Sequence, residues 1–148
     1  MTAQLAYLVR HGEAEPTGAA GDSDRALTAQ GRAGFSALAA SLAGELRVTR
    51  ILASPYRRAR ETAELLARAT GARVESEPSL GAGRLTGPDL LALLGAHGAG
   101  VALVGHNPEF AEAIGLAAGA PRPVPPGTIA ALELGGGAPA LSWLKAPP

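Results

Sequence analysis

An α/β fold, with a mostly parallel sheet and an antiparallel pair at one edge, is what this chain of 148 residues predicts. Three observations point there. Short apolar runs alternate with segments of helical length, the pattern of βαβ units. Three of those runs end in polar residues suited to holding an anion, and open α/β sheets bind ligands outside the carboxyl ends of their strands. The last two runs are joined by Gly135-Gly136-Gly137, which reads as a hairpin turn.

The strand-like runs lie at about 4–9, 49–53, 72–76, 101–105, 128–134 and 140–144. Between the first two, a helix opens at Leu27-Thr28 and runs to about Gly44, with Thr28 as N-cap and an apolar stripe of Ala, Leu and Phe35. A second helix is expected to take Ser54 as N-cap and Pro55 as its first residue, and to stop at Gly71. A third starts after Gly87-Pro88 and ends at His97 before Gly98. A fourth begins after Asn107-Pro108 and reaches about Ala118. The stretch Pro121–Gly127 is a rigid connector rather than a boundary, because the residues beyond it are too few to fold alone. The small, polar segment from Pro16 to Asp24 reads as a loop over the site.

Residues 1–148 are expected to form one domain, since the length suits a single real core. Thirteen basic residues balance thirteen acidic ones, so no global field favours nucleic acid or a membrane surface, and any anion site must be local. There is no cysteine, which excludes disulfides and thiolate chemistry. That absence, with no leader pattern at the N-terminus and no apolar stretch near the ~20 residues of a membrane span, suits a cytoplasmic protein.

The chemistry gathers at the strand ends. The run Leu5–Val9 passes into Arg10-His11-Gly12, and Val101–Val104 passes into Gly105-His106-Asn107-Pro108. Arg50–Ala53 passes into Ser54-Pro55, with Arg57 and Arg58 behind. Both histidines sit beside glycine, which lets a ligand approach the backbone. Guanidinium offers a permanently charged planar fork that matches phosphate oxygens. A helix start at Ser54-Pro55 would add free N–H groups and the positive end of a dipole, with Arg58 over the same helix face as Ser54. A histidine among arginines can attack phosphorus and split hydrolysis into two easier steps, while the cations and a second histidine hold the equatorial oxygens. A metal site is the rival use of two histidines, but Arg10 adjoins one of them and no carboxylate pair or third histidine has a good claim. His97, at a helix end, reads as stabilising the last carbonyls. Arg57 and Arg60 read as a solvated helix face.

Arg10-His11-Gly12-Glu13, Leu27-Thr28 with Gly31, Ser54-Pro55 with Arg58-Ala59 and Thr62-Ala63, and Gly105-His106-Asn107-Pro108 together resemble the histidine phosphatase, or phosphoglycerate mutase-like, superfamily. These motifs span about two-thirds of the chain. The resemblance implies a three-layer α/β/α sandwich, a nucleophile at His11, and a phosphate pocket completed by Arg10, Arg58 and His106. Ser54 and Gly12 are further candidates for phosphate contact. No metal or cofactor is implied.

The short chain, Asp24–Thr28 and His106-Asn107-Pro108 are most similar to SixA-type phosphohistidine phosphatases. Larger relatives carry a general-acid glutamate in the loop after the third strand. Here that loop reads Ser79-Leu80-Gly81-Ala82-Gly83-Arg84, with no carboxylate. An alkoxide leaving group needs a proton in the transition state, whereas a phosphoramidate nitrogen can carry one beforehand. The missing acid therefore points to P–N bonds or reactive phosphoesters, and with the resemblance the expected substrate is a phosphohistidine, for example on a phosphotransfer protein. Glu13, Glu77 or Asp24 could still reach in as an acid. A small-molecule phosphomonoesterase and a non-catalytic phosphate-binding module are the alternatives.

Overall fold

The computed structural model describes residues 4–148, so the reading of the extreme N-terminus as free of a leader lies outside it. All six strands fall within one residue of their expected bounds: β1 (Leu5–Arg10), β2 (Arg50–Ala53), β3 (Arg73–Ser76), β4 (Val101–Gly105), β5 (Ile129–Glu133) and β6 (Ala140–Lys145). Four helices alternate with them: α1 (Ala29–Leu42), α2 (Arg57–Thr70), α3 (Gly87–His97) and α4 (Glu109–Ala118). The sheet order is β3-β2-β4-β1-β5-β6. The first four in that order are parallel, while β5 runs antiparallel to both β1 and β6. The antiparallel edge pair is thus β5 and β6.

Side chains alternate across the sheet, and both of its faces are covered. Tyr7, Val9, Ile51, Ala102, Val104 and Ile129 pack under Phe35, Leu38 and Leu42 of α1 and Ala59, Ala63 and Leu66 of α2. Ala6, Leu8, Leu52, Leu103 and Ala130 pack under Leu90 and Leu94 of α3 and Phe110, Ala113 and Ile114 of α4. This is the three-layer α/β/α sandwich, and it explains why β1 and β4 read as unbroken apolar runs.

The helix boundaries obey local chemistry in three cases. The Thr28 hydroxyl accepts the Gly31 N–H at 2.8 Å, and Thr86 makes a capping box with Asp89. Gly71 ends α2 at φ 77°, a conformation costly for any residue with a Cβ. The start of α2 is a correction. The N-cap is Tyr56 and the first helical residue is Arg57, so Ser54 and Pro55 lie outside the helix in a turn. The hydroxyl of Ser54 is held by a distant residue, which no local pattern reveals. Ser54 and Arg58 therefore do not share a helix face, although both reach the same site.

Pairing of β4 with β1 and β2 sets three carboxyl ends side by side, with Arg10 opposite Gly105 and Ala53 opposite Val104. The ladder continues past the strands: His11 N–H donates to the Gly105 carbonyl and Ser54 N–H to the Val104 carbonyl, both at 3.0 Å. His11, Ser54 and His106 are thereby fixed by backbone before any side chain is placed. Gly31 allows the loop after β1 to lie against α1, since a Cβ there would stand 2.3 Å from the Glu13 carbonyl oxygen.

Candidate functional site

His11 is buried, and its ring is oriented from both sides. The Gly12 carbonyl, which can only accept, lies 2.7 Å from Nδ1, so Nδ1 carries the proton. Nε2 then presents a lone pair, and the Arg58 Nε–H donates to it at 3.3 Å. Gly12 is held in turn, because its N–H donates to the Thr62 hydroxyl at 3.0 Å while that hydroxyl donates to the Arg58 carbonyl at 2.8 Å. Fully buried Thr62 thus locks the turn after β1 to α2. Gly12, a candidate for phosphate contact, thus has its N–H engaged by Thr62.

Across the site, His106 lies with its ring centroid 5.3 Å from that of His11. Its Nε2 is 2.8 Å from Ser54 Oγ, which also accepts the Tyr56 N–H. Ser54 therefore bears directly on the orientation of His106. Tyr56 fills the gap beside it: its ring stands edge-on to His106 at 4.9 Å and carries the Arg58 guanidinium 5.0 Å above its face. Arg10 donates from Nη1 to the Val124 carbonyl at 2.9 Å, and Asn107 donates to the same oxygen at 3.1 Å. The Pro-rich connector thus shapes one wall. Among the described residues, Arg10 Nε and His106 Nδ1 are buried without a hydrogen-bond partner.

The loop from Pro16 to Asp24 does cross the site, through a residue the sequence did not single out. Arg58 donates from Nη1 to the Asp22 carbonyl at 2.7 Å and from Nη2 to its carboxylate at 3.3 Å. Arg25 also holds Asp22, at 3.0 Å. The three carboxylates considered as acids are engaged elsewhere: Glu13 with Thr28, Glu77 with Ser79, and Asp24 with Ala20 N–H and Arg57. The loop after β3 turns toward α4 instead, where the Gly83 and Gly87 N–H groups donate to Glu109 and Glu112. Arg60 is exposed, as a solvated face requires, but Arg57 is only half-exposed and pairs with the buried Glu61 as well as with Asp24. His97 contacts Arg50, away from the site. Asp22 and Tyr56 are the residues that motif reading missed as parts of the site, and Thr62 stood in the motif without a role. For Tyr56 the available signal was an aromatic two residues before Arg58, in a chain with only two tyrosines.

Burial, reinforced by the nearby cations, lowers the His11 pKa to about 4 and the His106 pKa to about 3. Asp22 acts oppositely on His106. Unfolded imidazoles bind protons near pH 6.5 that these folded ones refuse. Stability should therefore rise with pH across that window. The unfolding temperature is expected to fall as the pH drops from about 6.5 toward 4, and to fall less in the double variant His11→Asn, His106→Asn. A scan of unfolding temperature against pH checks this, and identical slopes would refute it.

The sequence matches the profile of the histidine phosphatase superfamily (branch 1) over residues 6–86, just over half of the chain. No curated protein sequence matches it. Among solved structures, it is similar to the protein histidine phosphatase SixA complexed with tungstate, with 26% identity, a TM-score of 0.82 and 97% of both chains covered. It is also similar to a proposed phosphohistidine phosphatase SixA from Agrobacterium tumefaciens, at 26% identity and a TM-score of 0.84, over 99% of this chain and all of that one. A third, from Nakamurella multipartitia and described in the same terms, gives 25% identity and a TM-score of 0.81 over 99% of this chain and 98% of that one.

Proposed function

The chain belongs to the histidine phosphatase superfamily, and on that premise we propose that residues 1–148 form one phosphatase domain acting on phosphohistidine through a covalent intermediate on His11. The carrying observation is the ring of His11, with Nδ1 bonded to Gly12 and the Nε2 lone pair set against Arg58. A binding module has no use for a nucleophile poised in this way. The lowered pKa keeps that lone pair free of a proton at neutral pH.

In the first step Nε2 bonds to phosphorus as the bond to the leaving nitrogen breaks, and its electron pair returns to that nitrogen. An imidazole already protonated on its other nitrogen departs neutral, while His11 becomes the cation. No proton moves, so no general acid is required. In the second step water bonds to phosphorus, the electron pair of the Nε2–P bond returns to Nε2, and the protons of water pass to the phosphate and solvent. Arg58, Arg10 Nε and His106 Nδ1 are the donors for the oxyanion. Ser54 accepts from Tyr56 and gives its own proton to His106 Nε2, which leaves Nδ1–H free to donate. Arg10, His11, Arg58 and His106 thus contact the phosphoryl group, while Ser54 and Gly12 hold the two rings. The tungstate bound by the SixA relative is a tetrahedral oxyanion and supports such a pocket.

Among the described residues, no group of three or more histidines and carboxylates is arranged to hold a metal ion. None of the described helices is long and apolar enough to cross a membrane. The test compares phosphate release from a phosphohistidine-bearing phosphotransfer domain, an aryl phosphate and an alkyl phosphate, with a chelator present. The first two should turn over. The alkyl ester should lag by about 10²-fold or more, the usual contribution of a general acid. Equal rates on all three would favour the small-ester reading, and activity lost to the chelator but restored by zinc or magnesium would favour a metal enzyme.

A further inference from the structure

We propose that Asp22 recognises the leaving group, accepting a hydrogen bond from the protonated imidazole ring of a phosphohistidine substrate; this rests on the phosphohistidine phosphatase reading of the same site. Arg58 separates Asp22 from the nucleophile. The Nε edge of its guanidinium faces His11, and its two terminal nitrogens face the carbonyl and carboxylate of Asp22. In-line displacement puts the leaving atom on the side of phosphorus away from Nε2. A phosphoryl group held against Arg58 therefore presents its leaving group on the Asp22 side.

The carboxylate has capacity to spare. Each oxygen accepts one arginine N–H, from Arg25 on one and Arg58 on the other, and each retains a further acceptor direction. The side chain is 61% exposed, so a ring carried on another protein can reach it from solvent. Asp22 also resolves a conflict of charge. Arg10, Arg25 and Arg58 make the pocket cationic, which suits the phosphoryl oxygens but repels an imidazolium. Among the described residues, Asp22 is the carboxylate in direct contact with Arg58, and the bond from Arg25 holds its pKa below the ordinary value, so it stays ionised. Its charge keeps the substrate ring protonated at pH values where a free imidazole, with a pKa of about 6.5, would have lost its proton. The ring proton stays on the substrate throughout. Asp22 is an acceptor, and it differs in this from a general acid.

The experiment compares wild type with Asp22→Asn on phosphoimidazole and on an aryl phosphate, at about pH 8, above the pKa of a free imidazole. Arg58 serves both substrates, so a loss transmitted through Arg58 lowers both values of kcat/KM together and leaves their ratio unchanged. The expected result is a fall of about 5-fold in the ratio of phosphoimidazole to aryl phosphate, modest because the contact is exposed to screening. An unchanged ratio overturns the assignment, whatever the absolute rates. A ratio that rises overturns it too, since Asp22 would then be donating protons to esters. Wild-type protein that cleaves the aryl phosphate and leaves phosphoimidazole intact overturns the underlying reading together with this one.

Discussion

His11→Asn is expected to reduce turnover by at least about 10⁴-fold while the fold persists, as befits loss of the atom that bonds to phosphorus. Asparagine is the informative replacement, because its amide can still donate to the Gly12 carbonyl where Nδ1 does now. Backbone placement of the residue is independent of the side chain, since the His11 N–H donates to Gly105 in continuation of the β1–β4 ladder. The variant should also lose a chemical signature. Wild-type protein quenched during turnover should carry a phosphoryl group that is labile in acid, and the variant should carry none. Far-UV circular dichroism beside the rate measurement separates chemistry from unfolding. Turnover within tenfold of wild type, or a labelled variant, would remove His11 from the reaction.

Arg58→Ala is expected to cost about 10²–10³ in kcat, the usual loss for one donor to transition-state charge. Arg57→Ala and Arg60→Ala should each cost less than about 5-fold, as solvated charges do. The contrast within four consecutive residues comes from packing. Arg58 is buried, lies over Tyr56, and joins His11 to Asp22. Arg57 spends its charge on the buried Glu61 and on Asp24, away from His11. Arg58→Lys should recover only part of the loss, because an ammonium cannot reach His11 and Asp22 from one rigid plane. The pH profile should change as well. The Arg58 cation is among the groups that lower the His11 pKa. Its removal should raise that pKa, and the residual activity should begin to fall at a higher pH than in wild type. Steady-state kinetics across pH tests both statements. Equal losses at Arg57, Arg58 and Arg60 would mean that the outer face of α2, rather than its buried one, serves the site.

Much of this arrangement was legible in the amino-acid sequence because its causes are local or periodic. Runs such as Leu5–Val9 and Val101–Val104 are apolar throughout, which marks strands covered on both faces. Thr28, Gly71 and Gly98 stop or start helices by their own backbone and side-chain preferences. Three polar strand ends then imply a crevice as soon as the strands are neighbours. That adjacency is tertiary: placing β4 between β1 and β2 requires the chain to cross over, and no run of residues states it.

Ser54-Pro55 shows how a sound local signal fails. A serine before a proline is a good helix start, yet Ser54 gives its hydroxyl to His106, 52 residues away, and α2 begins at Arg57. A tertiary hydrogen bond outweighs a cap of comparable strength. Asp22 is the converse case. It lies among small, polar residues with no periodicity, so nothing local distinguishes it from Asp24, two residues on. Only the folded loop brings one of them to Arg58 and the other to Arg57. Propensity, periodicity and side-chain chemistry belong to single residues and their near neighbours. The elements, most of their caps and the residue types able to bind and attack a phosphoryl group could therefore be read from the chain. The strand order, the partner of Ser54 and the carboxylate that meets Arg58 could not, because each depends on contacts between residues far apart in the chain.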